Sequence, residues 1–216
     1  MTTSADRQEQ IRRAAATVIA RNGFHASTVD LIASQAGVAV GTIYNYFADK
    51  TDILRQIFAA EQARRRVMFA TISALDLPAV DKILRGIGEH LASIAEDDSA
   101  ARILLQESAM PQITGVMPPV RGGALAEFIG VAAAQGVAQG QITCDASSLA
   151  VVLTGAVMGL VEAHVRATPG SDRSAVATSD ACCLPPILAT GLAEIERLLR
   201  YGCCRTQAHQ EQEETK

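Results

Sequence analysis

A chain of 216 residues with 49% hydrophobic residues can bury a sizeable core, as one large domain or two small ones. Aromatics are only 4% and tryptophan is absent, so the apolar content is Ala, Leu, Val and Ile at helical spacing, which predicts an all-α fold. Five cysteines, an odd number, argue against a disulfide framework, and the net charge of −4 is uneven: nine Lys/Arg stand against six Asp/Glu through Arg66, and ten against seventeen from Val67 onward, a mildly basic head on an acidic body.

In chain order, the first helix is expected over Asp6–Asn22, with Ile11, Ala15, Val18 and Ile19 as one stripe and Asn22-Gly23 as a left-handed stop. A second follows Ser27, which sits three residues before Asp30, close to a capping-box arrangement. Its inward residues are read as Leu31, Ile32 and Ala36, and Gly37 ends it. A third spans Val40–Phe47, and a fourth starts after the cap Asp49 and runs past Phe69 on Ile53, Leu54, Ile57 and Phe58. Two short helices joined by a glycine turn have the shape of a helix-turn-helix, whose second helix enters the DNA major groove.

Beyond Leu75 longer amphipathic helices are predicted at Ala79–Ala95, Ser99–Ala109, Arg121–Gly140, Ala146–Ala167 and Pro186–Tyr201, separated by Asp, Pro and Gly breakers. The tail after Cys204 is Gln/Glu-rich and reads as disordered. The expected division is a head over 1–49, a body over 50–204 and a tail over 205–216. Residues 1–20 carry charges throughout, unlike a signal peptide, and the apolar run Leu149–Val161 is too short to span a bilayer. A soluble cytoplasmic protein with no membrane partner is expected.

Residues 28–54 closely resemble the DNA-binding signature of the TetR family of bacterial transcriptional regulators, with Ala33, Gly37, Gly41, Tyr44, Phe47 and Lys50 at family spacing. The segments Asn22–Thr28 and Gly41–Phe47 are similar to a branch whose known members sense acyl-coenzyme A esters. The resemblance implies a three-helix helix-turn-helix head on a larger helical ligand-binding and dimerisation body. It also implies that Tyr44 reaches DNA while Phe47 packs in the core.

Lys50 opens helix four beside a positive dipole end, where a cation costs about 0.3–1 kcal/mol. A phosphate docked there would reverse that sign. Thr28 and Thr42 offer hydroxyls to phosphates, Thr28 also as a local cap. Tyr46 is read as a second DNA contact, with partial packing as the alternative. Ala39 cannot cap helix three. Val40 and Asn45, with Gly41 between them and Tyr44, complete the reading surface; Val40 can pack on a thymine methyl. Arginine is absent from 38–47, so bidentate guanine readout is missing there.

One such head makes few contacts, so a homodimer on a palindromic operator is expected, its half-sites about 10 bp apart or a multiple. Helices 146–167 and 186–201 are the candidate interface, the last presenting Leu188, Leu192, Ile195 and Leu199 as a stripe. The earlier helix is apolar nearly all round, and its Gly155 and Gly159 permit close backbone approach. A ligand pocket is expected among Arg102, Leu105, Gln106, Met110, Phe128, Met158 and Glu162, with Leu104, Met117, Leu160, Glu107 and His164 as further candidates. An apolar inducer, acyl-coenzyme A among the options, suits a body rich in Leu, Val, Ala and Met. Arg85, Arg102 and Arg121 are the cations available to its phosphates.

No cofactor or metal is called for. The adjacent pairs Cys182-Cys183 and Cys203-Cys204 suit soft-metal or redox chemistry, but a sixteen-residue helix of about 24 Å keeps them apart. No Gly-x-Ser-x-Gly, His-Glu-x-x-His, Walker or dinucleotide motif occurs, so an enzyme is the weaker alternative, beside a DNA-binding or interaction module without sensing.

Overall fold

Thr3 starts the first helix: its hydroxyl accepts from the Asp6 backbone N–H while the Asp6 carboxylate accepts from the Thr3 N–H. This capping box opens α1, Ser4–Asn22, two residues earlier than the sequence reading has it. The computed structural model describes residues 3–106, 123–168 and 184–203. Among these, α1 is followed by α2 (Val29–Ala36), α3 (Val40–Tyr44), α4 (Lys50–Ser73), α5 (Ala79–Glu96), α6 (Ser99–Gln106), α7 (Gly123–Ala138), α8 (Ala146–Ala167) and α9 (Pro186–Leu198), and a π-helical turn Leu199–Cys203 continues α9. All are helical, as the composition requires.

Two compact units result. Among the described residues, one holds 3–64, 97–106 and 165–168; the other holds 65–96, 123–164 and 184–203. They differ from the sequence division at residue 49, and the reason is burial. Ile53, Leu54 and Ile57 of α4 and Ile103 of α6 join Ile11, Ile19, Ile32, Ile43 and Phe47 in the first unit's core. Helix α6 packs on α1. Its Arg102 is held by a 2.7 Å ion pair with Asp98, both largely buried, and also donates to the Thr168 carbonyl.

In the second unit α5 packs against α7 and α9. Ile83, Ile87, Leu91 and Ile94 of α5 are buried, as are Leu125, Phe128, Ile129 and Ala133 of α7. Glycines permit the closest approaches: a Cβ at Gly86 would lie 2.2 Å from the Phe128 ring, and one at Gly136 would lie 2.8 Å from Ala79 Cβ. The Phe128 ring stacks on Phe69 at 4.6 Å. Asp145 caps α8 by accepting from the Ser148 N–H at 2.7 Å, and this bond holds its carboxyl below the usual range.

The predicted stripe of α9 is real but faces inward. Leu188, Ile195 and Leu199 are buried in their own unit, and half-buried Leu192 would lie 3.6 Å from a Cβ added at Gly88. Leu188, Ile195 and Leu199 are thus spent on the protomer's own core and do not present the expected outward stripe. The exposed apolar side chains lie on the other faces: Val151 (74%) and Val152 (66%) on α8, Leu198 (60%) and Tyr201 (77%) around the end of α9. Helix α8, long and apolar enough to cross a bilayer by those criteria alone, has a third of its apolar window buried.

His90 is the polar member of the α5 stripe. Burial and the charge of Arg65 push its imidazole down to about 3. Its folded value is thus below the ordinary 6.5 of an unfolded chain, so the unfolded state takes up the proton first. Stability is expected to be full above pH 6.5 and to fall by roughly 3–5 kcal/mol as the pH drops toward 3. Urea titrations at stepped pH check this; a His90→Phe variant with the same acid slope would assign the loss to other groups.

Candidate nucleic-acid interface and body residues

The helix-turn-helix is built by local stops. Gly37 sits at φ 64°, and its N–H bonds back to Ala33 and Ser34, so α2 ends in a left-handed turn that favours glycine. Helix α2 is capped by Thr28, whose hydroxyl accepts from Leu31 N–H at 3.2 Å. Ser27, the expected cap, is instead fully buried and donates to the Gly23 carbonyl at 2.7 Å. Leu31, expected inside, is 46% exposed; Ile32, Ala33 and Ala36 face the core. One residue's shift in the cap accompanies this rotation of the inward face.

Helix α3 ends at Tyr44, short of the expected Phe47, because the Asn45 and Tyr46 N–H groups turn back to Thr42 and Ile43 in tighter bonds. Its first residue follows an uncapped Ala39, as the sequence requires. Phe47 and Ile43 are core. Tyr44 is 55% exposed, and Asn45 and Gly41 are exposed too. A Cβ on Gly41 would meet nothing within 4 Å. Thr42 is half-buried, and Val40 and Tyr46 pack partly against the core. The packed alternative for Tyr46 is thus the observed one.

Lys50 has a role the sequence reading lacks. Its ammonium donates to the carbonyls of Phe24 at 2.7 Å, Ser27 at 2.8 Å and His25 at 3.4 Å, and lies 4.4 Å from the centre of the Phe24 ring. Three carbonyl dipoles and an aromatic face supply the negative potential that the helix N-terminus denies a cation. The side chain thereby clamps the turn between α1 and α2, rather than standing free for phosphate. Asp49 caps α4 by accepting from the Asp52 N–H at 2.7 Å.

The predicted body residues divide between the units. Arg102 and Leu105 belong to the first, Arg102 in its ion pair with Asp98; Phe128, Met158 and Glu162 belong to the second. Phe128 is core, while Leu104, Leu105, Met158, Leu160 and Glu162 are half-buried. His164, read as a surface or interface group, is buried, as is His90, which sequence reasoning missed. The signal for His90 was available: it falls on the same face of α5 as Ile83, Ile87 and Ile94. A groove of about 330 Å³ lies between α1 and α4, and none of the predicted ligand residues lines it. Arg85 is exposed. Met110, Met117, Glu107, Arg121, Cys182, Cys183, Cys204 and the side chains of Gln106 and Cys203 lie outside the described residues, as do residues 205–216. No cluster of three potential metal ligands occurs among the described residues.

Residues 11–57 match the family model of bacterial regulatory proteins, tetR family. The chain is 40% identical over 92 residues to the fatty acid metabolism regulator protein of Bacillus subtilis (strain 168), spanning 43% of this chain and 47% of that protein. It is 30% identical over 136 residues to the HTH-type transcriptional repressor BepR of Brucella suis biovar 1 (strain 1330), spanning 59% of this chain and 65% of that protein. The matched stretch thus covers less than two thirds of either relative's length. A crystal structure of the transcriptional regulator FadR from Bacillus subtilis in complex with stearoyl-CoA superposes with a TM-score of 0.66 at 25% identity, covering 90% of this chain and 98% of that one. The short helices, the exposed α3 and these likenesses agree over residues 11–57: this stretch is the DNA-binding head of the tetR family of bacterial regulatory proteins.

Proposed function

We propose that the chain is a homodimeric transcriptional repressor, released from a palindromic operator by a small, largely apolar ligand. The observation that carries the DNA reading is the outer face of α3. Tyr44 and Asn45 project from it, and Gly41 leaves its backbone open. A helical glycine costs about 1 kcal/mol against alanine, and nothing in the protein's own packing asks for one here. An external surface at van der Waals distance, such as a sugar-phosphate backbone, supplies the reason. Val40 and Thr42 lie on the same short helix, Tyr46 packs against the core behind it, and the exposed Thr28 at the start of α2 offers its hydroxyl to the same backbone. Operator selection from a random duplex pool, followed by titration of the selected site, tests this; failure to enrich any palindrome sinks it.

Two substitutions refine the assignment. Tyr44→Phe is expected to weaken operator binding several-fold while leaving the melting temperature unchanged, because the hydroxyl sits on an exposed side chain. A large loss of stability with intact binding would make Tyr44 structural. Lys50→Ala is expected to lower head stability by about 1–3 kcal/mol, through the lost carbonyl bonds, and to weaken binding across all sequences. If the ammonium also moves to a phosphate on docking, the salt slope falls by about 1 per half-site. An unchanged slope confines Lys50 to its clamp.

The inducer reading is supported by the relative solved with stearoyl-CoA and by the apolar second unit. The ligand acts only through its differential affinity for the operator-bound and released states. DNA release titrated with long-chain acyl-coenzyme A and with uncharged hydrophobic compounds distinguishes the branches. Release by polar metabolites alone would remove the apolar ligand; release by the uncharged compounds alone would remove acyl-coenzyme A.

A further inference from the structure

We infer that the imidazole of His90 is the polar anchor of the ligand site in the second unit, and that the ligand presents a carbonyl oxygen on an otherwise apolar frame. The inference rests on the sensor reading above. His90 is 2% exposed, and its Nδ1 is wholly buried with no hydrogen-bond partner among the described residues. Its surroundings are hydrocarbon, ring and the charge of Arg65. Ile87 and Leu91 flank it on α5, the Phe69 ring centre lies 6.3 Å away, and Phe69 stacks in turn on Phe128, which is seated on Gly86 one turn earlier. Leaving such a nitrogen unmet costs about 1–3 kcal/mol, which a phenylalanine at the same place avoids. The hydrogen bond recorded at this residue uses its main-chain carbonyl, which accepts from the Ser93 hydroxyl. Among the described residues the ring's Nδ1 serves no bond.

The chemistry of the partner follows from charge. The ring is neutral, so Nδ1 offers either an N–H or a lone pair. Arg65, near enough to disfavour the protonated ring, draws electron-rich oxygen toward the same place. The tautomer with Nδ1–H donating to a carbonyl oxygen satisfies the ring and suits the positive charge nearby. A pure hydrocarbon brings no acceptor, and a sugar brings hydroxyls that Phe69 and Phe128 cannot satisfy.

The full-length protein is titrated with methyl decanoate and with undecane, which are similar in size and differ in the ester oxygens. The ester is expected to bind about tenfold more tightly, the worth of one hydrogen bond, and to shift the Nδ1 resonance of ¹⁵N-labelled His90. In His90→Phe the preference disappears and the unliganded melting temperature is equal or higher. In His90→Asn, whose amide nitrogen approximates the Nδ1 position, part of the preference returns. Equal binding of ester and alkane to the wild-type protein, an unmoved Nδ1 resonance, or a His90→Phe variant that keeps the preference overturns the inference. The resonance decides the matter on the wild-type chain if the variants fold poorly. Loss of the inference leaves the sensor reading intact where other hydrophobic compounds still release DNA; if none does, the sensor reading itself falls.

Discussion

A chain carrying Gly155→Leu and Gly159→Leu is expected to sediment as a monomer and to bind operator on the order of a thousandfold more weakly, while keeping its helical signal. Both glycines lie on the outward face of α8, where an added Cβ meets nothing within 4 Å. Inside one protomer the leucines are harmless, and by helix propensity they favour α8 by roughly 1 kcal/mol each. Between protomers they are not. Glycines four apart let two backbones approach closely, and Val151, Val152 and Ala156 beside them provide the apolar surface that such an approach buries. Leucines would hold the partner helix away. A stable dimer with wild-type operator affinity would place the interface elsewhere and return α8 to an unexplained apolar surface.

Ile195→Glu is expected to act on the opposite face and by a different route. Ile195 is buried with Leu188 and Leu199 on the side of α9 that packs against α5. A carboxylate there has no partner, and the combined loss of apolar burial and charge solvation is on the order of 5 kcal/mol or more, comparable to the whole stability of a small domain. The expected result is a protein without a cooperative thermal transition in its second unit. A folded monomer would instead mean that the α9 stripe meets the partner. The two variants together therefore separate assembly from folding on adjacent helices.

Local chemistry was legible. Gly23 and Gly37 end α1 and α2 at positive φ, Asp49 caps α4, and Ala146–Ala167 begins and ends where its periodicity says. Such signals act within one turn, so no knowledge of neighbours is needed to read them. The same reasoning slipped at α2, where two adjacent hydroxyl residues, Ser27 and Thr28, compete for one cap. Thr28 holds it because Ser27 is drawn inward to the Gly23 carbonyl, a bond across a turn that spacing does not encode.

The sequence by itself determined an all-helical chain and a helix-turn-helix head like that of the tetR family, because caps, stops and a 3.6-residue period are local. Only the tertiary structure decided which way the apolar faces look. It turned Leu188, Ile195 and Leu199 into the protomer and left Val151, Val152 and Tyr201 outside. A helix apolar on more than one side has no preferred inward face until its neighbours are placed. It also decided the state of Lys50 and His90. The lysine meets carbonyls 23 to 26 residues away in sequence, and the histidine meets a ring from another helix. A charge and an imidazole take their character from the groups that surround them, and those groups arrive only when distant segments of the chain are packed together.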